Sequence, residues 1–138
     1  MSAADEIIRL PGDPPSPYEA ANGYSRVLRA GPLAIVGGTT SITSDGVVMG
    51  ETPYEQTVEI LRKILNELGR VGASARDVVE VRIYVTDITR GEEVGRAHGE
   101  VFGDIRPVMS MLGVSGLYHP QMLVEIEATA YLGPGTGS

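Results

Sequence analysis

The chain has 138 residues, which is enough for one domain with its own hydrophobic core. It contains no cysteine, and this excludes disulfide bonds, thiolate metal sites and a cysteine nucleophile. The net charge of −7 argues against nucleic acid as a partner, because phosphate binding needs clustered lysine and arginine.

The N-terminal residues 1–17 are polar and rich in proline, so we expect an irregular arm there. They lack the basic start and apolar core of a signal peptide. No apolar run in the chain reaches the roughly 20 residues that cross a bilayer. We therefore expect a cytoplasmic protein with no membrane partner.

Residues 24–42 alternate apolar and polar side chains around a turn signal at Gly31-Pro32. This pattern predicts a β-hairpin. The following turn, TSDGVV, predicts a third short strand at 47–49.

Residues 52–70 carry the clearest helix signal of the chain. Thr52 is a good N-cap, Pro53 suits the first helical position, and Glu55 completes a capping box. The apolar positions at helical spacing are Val58, Leu61, Ile64, Leu65 and Leu68. We expect the opposite face to be a plain solvated surface, formed by Glu59, Arg62, Lys63, Asn66 and Arg70.

The rest of the chain predicts a strand, a shorter helix and two final strands. Residues 75–87 alternate as a half-buried strand, and 90–102 form the helix. The core-facing positions of that first strand are predicted to be Val79, Val81, Ile83 and Val85. The last strands are expected within 107–115 and 123–132, followed by a flexible tail at 133–138.

These elements predict a single α+β domain, residues 1–138, with both helices covering one face of one sheet. The other sheet face would carry neutral and apolar groups such as Tyr84, Thr129 and Tyr131. An uncovered face of this kind usually meets a partner chain, so we expect a closed homo-oligomer.

The segments YSRVLRAGPLAIVGGTT, YEQTVEILRKILNELG, DVVEVRIYVTD and LVEIEATA resemble the Rid superfamily, also called YjgF or endoribonuclease L-PSP-like. The resemblance runs from about Tyr24 to Leu132. It implies a chorismate-mutase-like fold with a mixed sheet and two helices, assembled as a homotrimer with ligand clefts between subunits. It also implies hydrolysis of reactive enamines and imines, such as 2-aminoacrylate, to ketoacids and ammonia, without a cofactor.

In the deaminating members of this family an arginine binds the substrate carboxylate within a Pro-x-Arg-Ser pattern. Here Pro107 and Ser110 match, and Met109 stands at the arginine position. A thioether offers neither the charge nor the paired donors of a guanidinium. Arg106 could replace it if a bend redirected its side chain. In a regular strand, however, Arg106 lies three residues before Met109 and points to the opposite face. A surface ion pair is the simpler role for it there.

The same resemblance places Glu125 at the glutamate that activates water, a role that burial would support by raising the carboxyl pKa. A structural role for Glu125 in hydrogen bonds across the trimer is the alternative. Glu127, two residues along the strand on the same face, is better explained as structural.

The resemblance adds four further residues to the expected substrate site. Tyr24 would line the cleft, or else pack at the start of its strand. Gly37-Gly38 replaces a Ser-Gly pair, so that Gly38 keeps the close backbone approach and Gly37 loses a hydroxyl. Gly95 stands where many deaminating members have asparagine.

The two histidines, His98 and His119, lack a second ligand at metal spacing, and we expect no metal site. His98 is predicted to be a surface or capping residue and His119 to be solvated.

The leading hypothesis is therefore a trimer that binds a small-molecule ligand and hydrolyses an imine, enamine or related C–N substrate without a carboxylate-binding arginine. A non-catalytic ligand-binding or sensor trimer is the alternative, and a ribonuclease or translation inhibitor is a third that the acidic charge disfavours.

Overall fold

A computed structural model describes residues 6–133 as one six-stranded sheet with helices on one face. The strands are β1 (Ile7–Leu10), β2 (Val27–Ala30), β3 (Leu33–Thr39), β4 (Val78–Val85), β5 (Val108–Gly113) and β6 (Val124–Tyr131). The helices are α1 (Glu19–Asn22), α2 (Pro53–Arg70) and α3 (Gly91–Phe102). The strand order is β1-β2-β3-β6-β4-β5, and only the β4–β5 pair is parallel. This is the mixed α+β sheet that the sequence predicted.

The N-terminal arm is more regular than expected. Residues Ile7–Leu10 form an edge strand that pairs antiparallel with β2. Three of these four residues are aliphatic, and the unpaired edge of β2 offers backbone donors and acceptors that the strand satisfies. Residues 1–5 lie outside the described residues, as does the predicted flexible tail apart from Gly133.

The third strand predicted at 47–49 is absent within the described residues, where an isolated bridge joins Ile42 to Val48. The hairpin at 24–42 is confirmed as β2 and β3, with Val27 paired to Val36.

Helix α2 begins with the predicted capping box, in which the Thr52 side chain accepts from the Glu55 N–H. Its buried stripe consists of Ile60, Leu61, Ile64 and Leu68. Val58, which was expected in that stripe, is 45% exposed because it lies one step outside the helical face that these residues define.

The two faces of the sheet are distinguished by strict alternation along β6. Its even-numbered residues from Val124 to Ala130 are buried against the helices, and Glu125, Glu127 and Thr129 point the other way.

The prediction that Val79 in β4 faces the core is wrong. The β4–β6 register shifts between Val78 and Glu80, so Val78 is buried and Val79 is exposed. Such a shift inserts one residue into the pairing and changes which side chains face the core.

The helix-free side of the sheet, which we call the open face, carries several exposed apolar side chains. They are Leu33, Ile35, Val108, Leu112 and Tyr131. Between residues 6 and 133, no helix combines the length and apolarity required to cross a bilayer.

Candidate functional site

A cavity of about 560 Å³ lies at one end of the sheet. Four parts of the chain enclose it: residues 12–26, the end of β3 with the following residues to 44, the middle of α2, and residues 118–125 at the start of β6. Tyr24, Gly38 and Glu125, three of the residues that the sequence selected, line this cavity together.

Glu125 projects from β6 into the cavity and is partly buried. Burial raises the pKa of its carboxyl above the ordinary value, Arg26 opposes the rise, and Glu127 adds to it. No group among residues 6–133 is within hydrogen-bonding geometry of its oxygens. The carboxylate is therefore available to accept a proton from a ligand or a water molecule.

Gly38 leaves the space in which the Glu125 carboxylate lies. A Cβ atom added to Gly38 would overlap the Glu125 carboxylate oxygen Oε2, so any larger residue would have to displace that side chain. This is the close approach for which glycine was expected here. Gly37 is adjacent, and its carbonyl accepts a bond from the Thr39 hydroxyl at 2.7 Å.

Arg26 is a buried cation that the sequence analysis did not select. Its Nη1 donates to the Gly38 carbonyl at 2.5 Å and to Thr39 Oγ1 at 2.9 Å, and its Nε lies 3.5 Å from Glu19 Oε2. These contacts hold the end of β3 beside Glu125. In the sequence Arg26 stands just before an alternating strand, where an arginine ordinarily faces solvent, and no local pattern distinguishes it.

Glu19, the partner of Arg26, is also buried and fixes the N-terminal segment. Burial acts to raise the pKa of its carboxyl, but hydrogen bonds from the Gly12 and Ser16 N–H groups and the charge of Arg26 lower it overall. Those two hydrogen bonds measure 2.7 and 2.8 Å. The segment that covers the cavity is thus anchored by an ionised carboxylate.

The prediction that the polar face of α2 is a plain solvated surface is wrong at Lys63. Its Nζ donates to the carbonyls of Thr40 at 2.6 Å and Ile42 at 2.9 Å, and its side chain lines the cavity. Burial lowers the pKa of the Lys63 ammonium to about 8. The N-terminal segment, distant in sequence, covers this face of the helix, as the contact of the Asp13 N–H with Glu67 shows.

The cavity wall also contains aromatic side chains. The Tyr24 hydroxyl accepts from Arg26 Nη2 at 3.4 Å, and the guanidinium carbon lies 5.4 Å from the Tyr24 ring centre. Tyr18 and Tyr118, which the sequence analysis did not select, meet edge to face with ring centres 4.8 Å apart.

Met109, Ser110 and Arg106 do not line this cavity within the protomer. They belong to β5 and the segment before it, and β4 separates β5 from β6. Met109 pairs in register with the buried Val81, and Ser110 pairs with Arg82 on the open face.

Arg106 lies at the end of α3, where its Nε donates to the Gly103 carbonyl at 3.2 Å. Its backbone has a φ of 59°, in the left-handed region that few residues other than glycine adopt. Within the protomer, its side chain is thus directed to the helix end and does not reach the cavity.

Glu127 accepts a hydrogen bond from the Tyr84 hydroxyl at 2.6 Å on the open face. This bond is the main reason that the pKa of Tyr84 is raised. Glu127 also borders a smaller cavity of about 150 Å³, which is separate from the one at Glu125.

The prediction that His98 is a surface or capping residue is wrong. Its ring is buried in α3 with its centre 4.9 Å from that of Phe102, and burial lowers its pKa.

His119 is partly exposed and accepts from the Gln121 N–H at 3.1 Å. The described part of the chain contains no group of three histidine or acidic side chains placed to hold a metal ion.

The fold is shared with solved structures of the YjgF class. The crystal structure of Rv2704 from Mycobacterium tuberculosis, a member of the YjgF/YER057c/UK114 family, has a TM-score of 0.82 and 47% identity, covering 91% of this chain and 99% of that one. A putative endoribonuclease from Thermotoga maritima has a TM-score of 0.76 and 28% identity, covering 95% and 98%.

Residues 15–132 match the family model described as Endoribonuclease L-PSP, and the chain belongs to this family. An uncharacterised protein of Streptomyces coelicolor, SCO2049, is 34% identical over 118 residues, which are 86% of this chain and 88% of that protein. The 3-aminoacrylate deaminase RutC of Acinetobacter baylyi is 29% identical over 131 residues, covering 92% and 98%.

Proposed function

We propose that the protein hydrolyses an imine, enamine or related C–N bond of a small metabolite, with Glu125 as the general base. The observation that carries the proposal is the Glu125 carboxylate, which lines a cavity of about 560 Å³ without a donor among residues 6–133. The similarity to RutC, a 3-aminoacrylate deaminase, supports this reaction class.

The chemistry needs only water and one carboxylate. Glu125 accepts a proton from water as the water oxygen attacks the carbon of the protonated C=N group, giving a carbinolamine. The protonated Glu125 then donates to the amine nitrogen, the C–N bond breaks, and the hydroxyl proton leaves as the carbonyl forms. The products are a carbonyl compound and ammonia, and the carboxylate is restored.

The raised pKa of Glu125 suits both halves of this cycle. A carboxyl whose pKa is nearer to neutrality is a stronger base when ionised and can still return its proton to a leaving amine. Activity should therefore fall as pH decreases through the raised pKa, because the protonated carboxyl cannot activate water.

The proposal also covers the oligomeric state and the location of the protein. We infer a cytoplasmic homotrimer that packs through the open face, with a partner subunit completing the ligand cleft. Met109 replaces the β5 arginine of deaminating relatives, so the substrate should not depend on a carboxylate held from that strand.

The test is Glu125→Gln, which keeps the size of the side chain and removes the base. Imines with and without a carboxylate, including 2-aminoacrylate formed in situ, would be followed by ammonia release. We expect the substitution to reduce turnover at least a hundredfold, as loss of a general base does. Glu127→Gln is the matched control on the same strand, and turnover that survives in Glu125→Gln contradicts the proposal.

A non-catalytic ligand-binding trimer is the second candidate, favoured by the loss of the β5 arginine. It predicts that wild-type protein binds small ligands in the cavity but releases no ammonia from any imine tested. Ribonuclease activity has little support, because a protein with a net charge of −7 repels the phosphates of RNA.

A further inference from the structure

Lys63 is the single lysine of the chain, and every other basic side chain besides the histidines is an arginine. This one lysine stands in the cavity wall, on α2. The reaction proposed for Glu125 makes no use of it.

The contacts of Lys63 leave it one free donor. An ammonium group has three N–H bonds. The carbonyls of Thr40 and Ile42 accept two of them, and no other acceptor is in range among the described residues. The third N–H is therefore available to a ligand in the cavity.

The two arginines of the cavity are already paired with carboxylates. Arg62 forms a two-pronged pair with Glu59, at 2.6 and 2.8 Å. Arg26 lies against Glu19 and is further engaged by Gly38 and Thr39. Lys63 forms no ion pair within residues 6–133, so it is the cavity cation that retains attraction for an added anion.

Lys63 and Glu125 reach the cavity from different elements. Lys63 belongs to α2 and Glu125 to β6. Glu125 lies against Gly38, whereas Lys63 binds the carbonyls of Thr40 and Ile42, two and four residues further along the chain. The cavity therefore holds a free acid and a free cation at separate points of its wall.

We propose that Lys63 binds a carboxylate of the substrate on the α2 side of the cavity, beside Thr40 and Ile42. This inference rests on the proposed function for the chemistry at Glu125. The substrate is then a C–N compound whose carboxylate is several bonds from the reacting carbon, unlike 2-aminoacrylate, in which the two are adjacent. The carboxylate is then bound by a residue of α2, Lys63, and not by a residue of β5.

The experiment uses unreactive probes that carry a carboxylate for Lys63 and an amine for Glu125. They are the ω-amino acids from glycine to 6-aminohexanoate, each compared by calorimetry with the alkylamine of equal chain length. We expect affinity to peak at an intermediate length, where the amino acid binds roughly tenfold or more tightly than its amine, as a charge-assisted bond provides. In Lys63→Met the ratio should fall to within about twofold.

Arg62→Met is the matched control, because Arg62 is the neighbouring cation and is already paired; it should keep the wild-type ratio. A Lys63→Met protein that keeps the ratio overturns the proposal, as does equal affinity for all chain lengths in the wild type.

Lys63 also holds residues 40–42, so a second measurement covers a variant that does not fold. In wild-type protein the preference for the amino acid should decline as pH rises through about 8, where the ammonium loses its charge. In Lys63→Arg it should persist to higher pH, since a guanidinium remains protonated. A pH-independent preference in the wild type also overturns the proposal.

The two proposals fail separately. Loss of the carboxylate preference in Lys63→Met, with full turnover in Glu125→Gln, would retain the anionic subsite and reject the reaction. The reverse pattern would retain the reaction and reject the role of Lys63.

Discussion

At the scale of single residues, the site depends on one glycine. Gly38 permits the Glu125 carboxylate to lie against the backbone, and its carbonyl is bound by the buried Arg26. The glutamate that is proposed to activate water is therefore positioned by a missing Cβ and by a cation from the residue just before β2.

We expect Gly38→Ala to reduce turnover at least tenfold with little loss of fold, because the new Cβ must displace the Glu125 side chain from its position. Ammonia release measures turnover, and circular dichroism and thermal unfolding report the fold. Gly99→Ala is the matched control, since a Cβ on Gly99 in α3 meets open space. An unchanged rate in Gly38→Ala would show that the approach to Glu125 has no bearing on catalysis.

The sequence identified some residues of the cavity and missed others for a physical reason. Alternation and resemblance together selected Glu125, Gly38 and Tyr24, which do line one cavity. Lys63 was assigned to a solvated surface because helical periodicity gives the direction of a side chain and not what covers it. Arg26 was missed since burial of a charge depends on a partner, here Glu19, in another element.

At the scale of elements, α2 is the part of the fold that the sequence specifies best. Its capping box, its proline at the first position and its apolar stripe all agree, and the structure contains each of them. The helix also supplies Lys63, so its stability matters for the site.

We expect Thr52→Ala to lower the free energy of unfolding by about 1 kcal/mol, because the Glu55 N–H loses its acceptor at the helix start. Chemical denaturation measures the change. Thr52→Ser, which keeps the hydroxyl, should stay within about 0.5 kcal/mol of the wild type. Equal losses in both variants would indicate that the methyl group, and not the cap, stabilises this position.

The elements that the sequence misjudged are those decided by distant partners. The strand β1 exists because β2 has an edge to pair, and the Val78–Glu80 shift in β4 follows from its register with β6. Neither pairing leaves a local signal in composition or periodicity. His98 is buried for the same kind of reason, through the packing of α3 against α2.

At the scale of the whole molecule, the open face is the feature that one protomer leaves uncovered. Ile35 is 41% exposed and Val108 is 66% exposed there, and Leu33 and Tyr131 are exposed beside them. Apolar area of this extent on a small domain is stabilised by association. This agrees with the trimer expected from the family resemblance.

We expect the wild type to sediment as the proposed trimer and Ile35→Glu as a monomer, because a charge buried in an apolar interface has no partner. Analytical ultracentrifugation distinguishes the two states. Val58→Glu is the control, as Val58 is comparably exposed at 45% but lies on α2, away from the open face. A trimer that persists in Ile35→Glu would place the assembly surface elsewhere on the molecule.

The placement of the single lysine has a practical consequence. Acylating reagents that attack amines find one side-chain target in this chain, Lys63, besides the α-amino group. A bound ligand should shield this amine and slow its acylation. Occupancy could then be followed in the unmodified protein as protection of one chemically unique amine, measured by mass spectrometry.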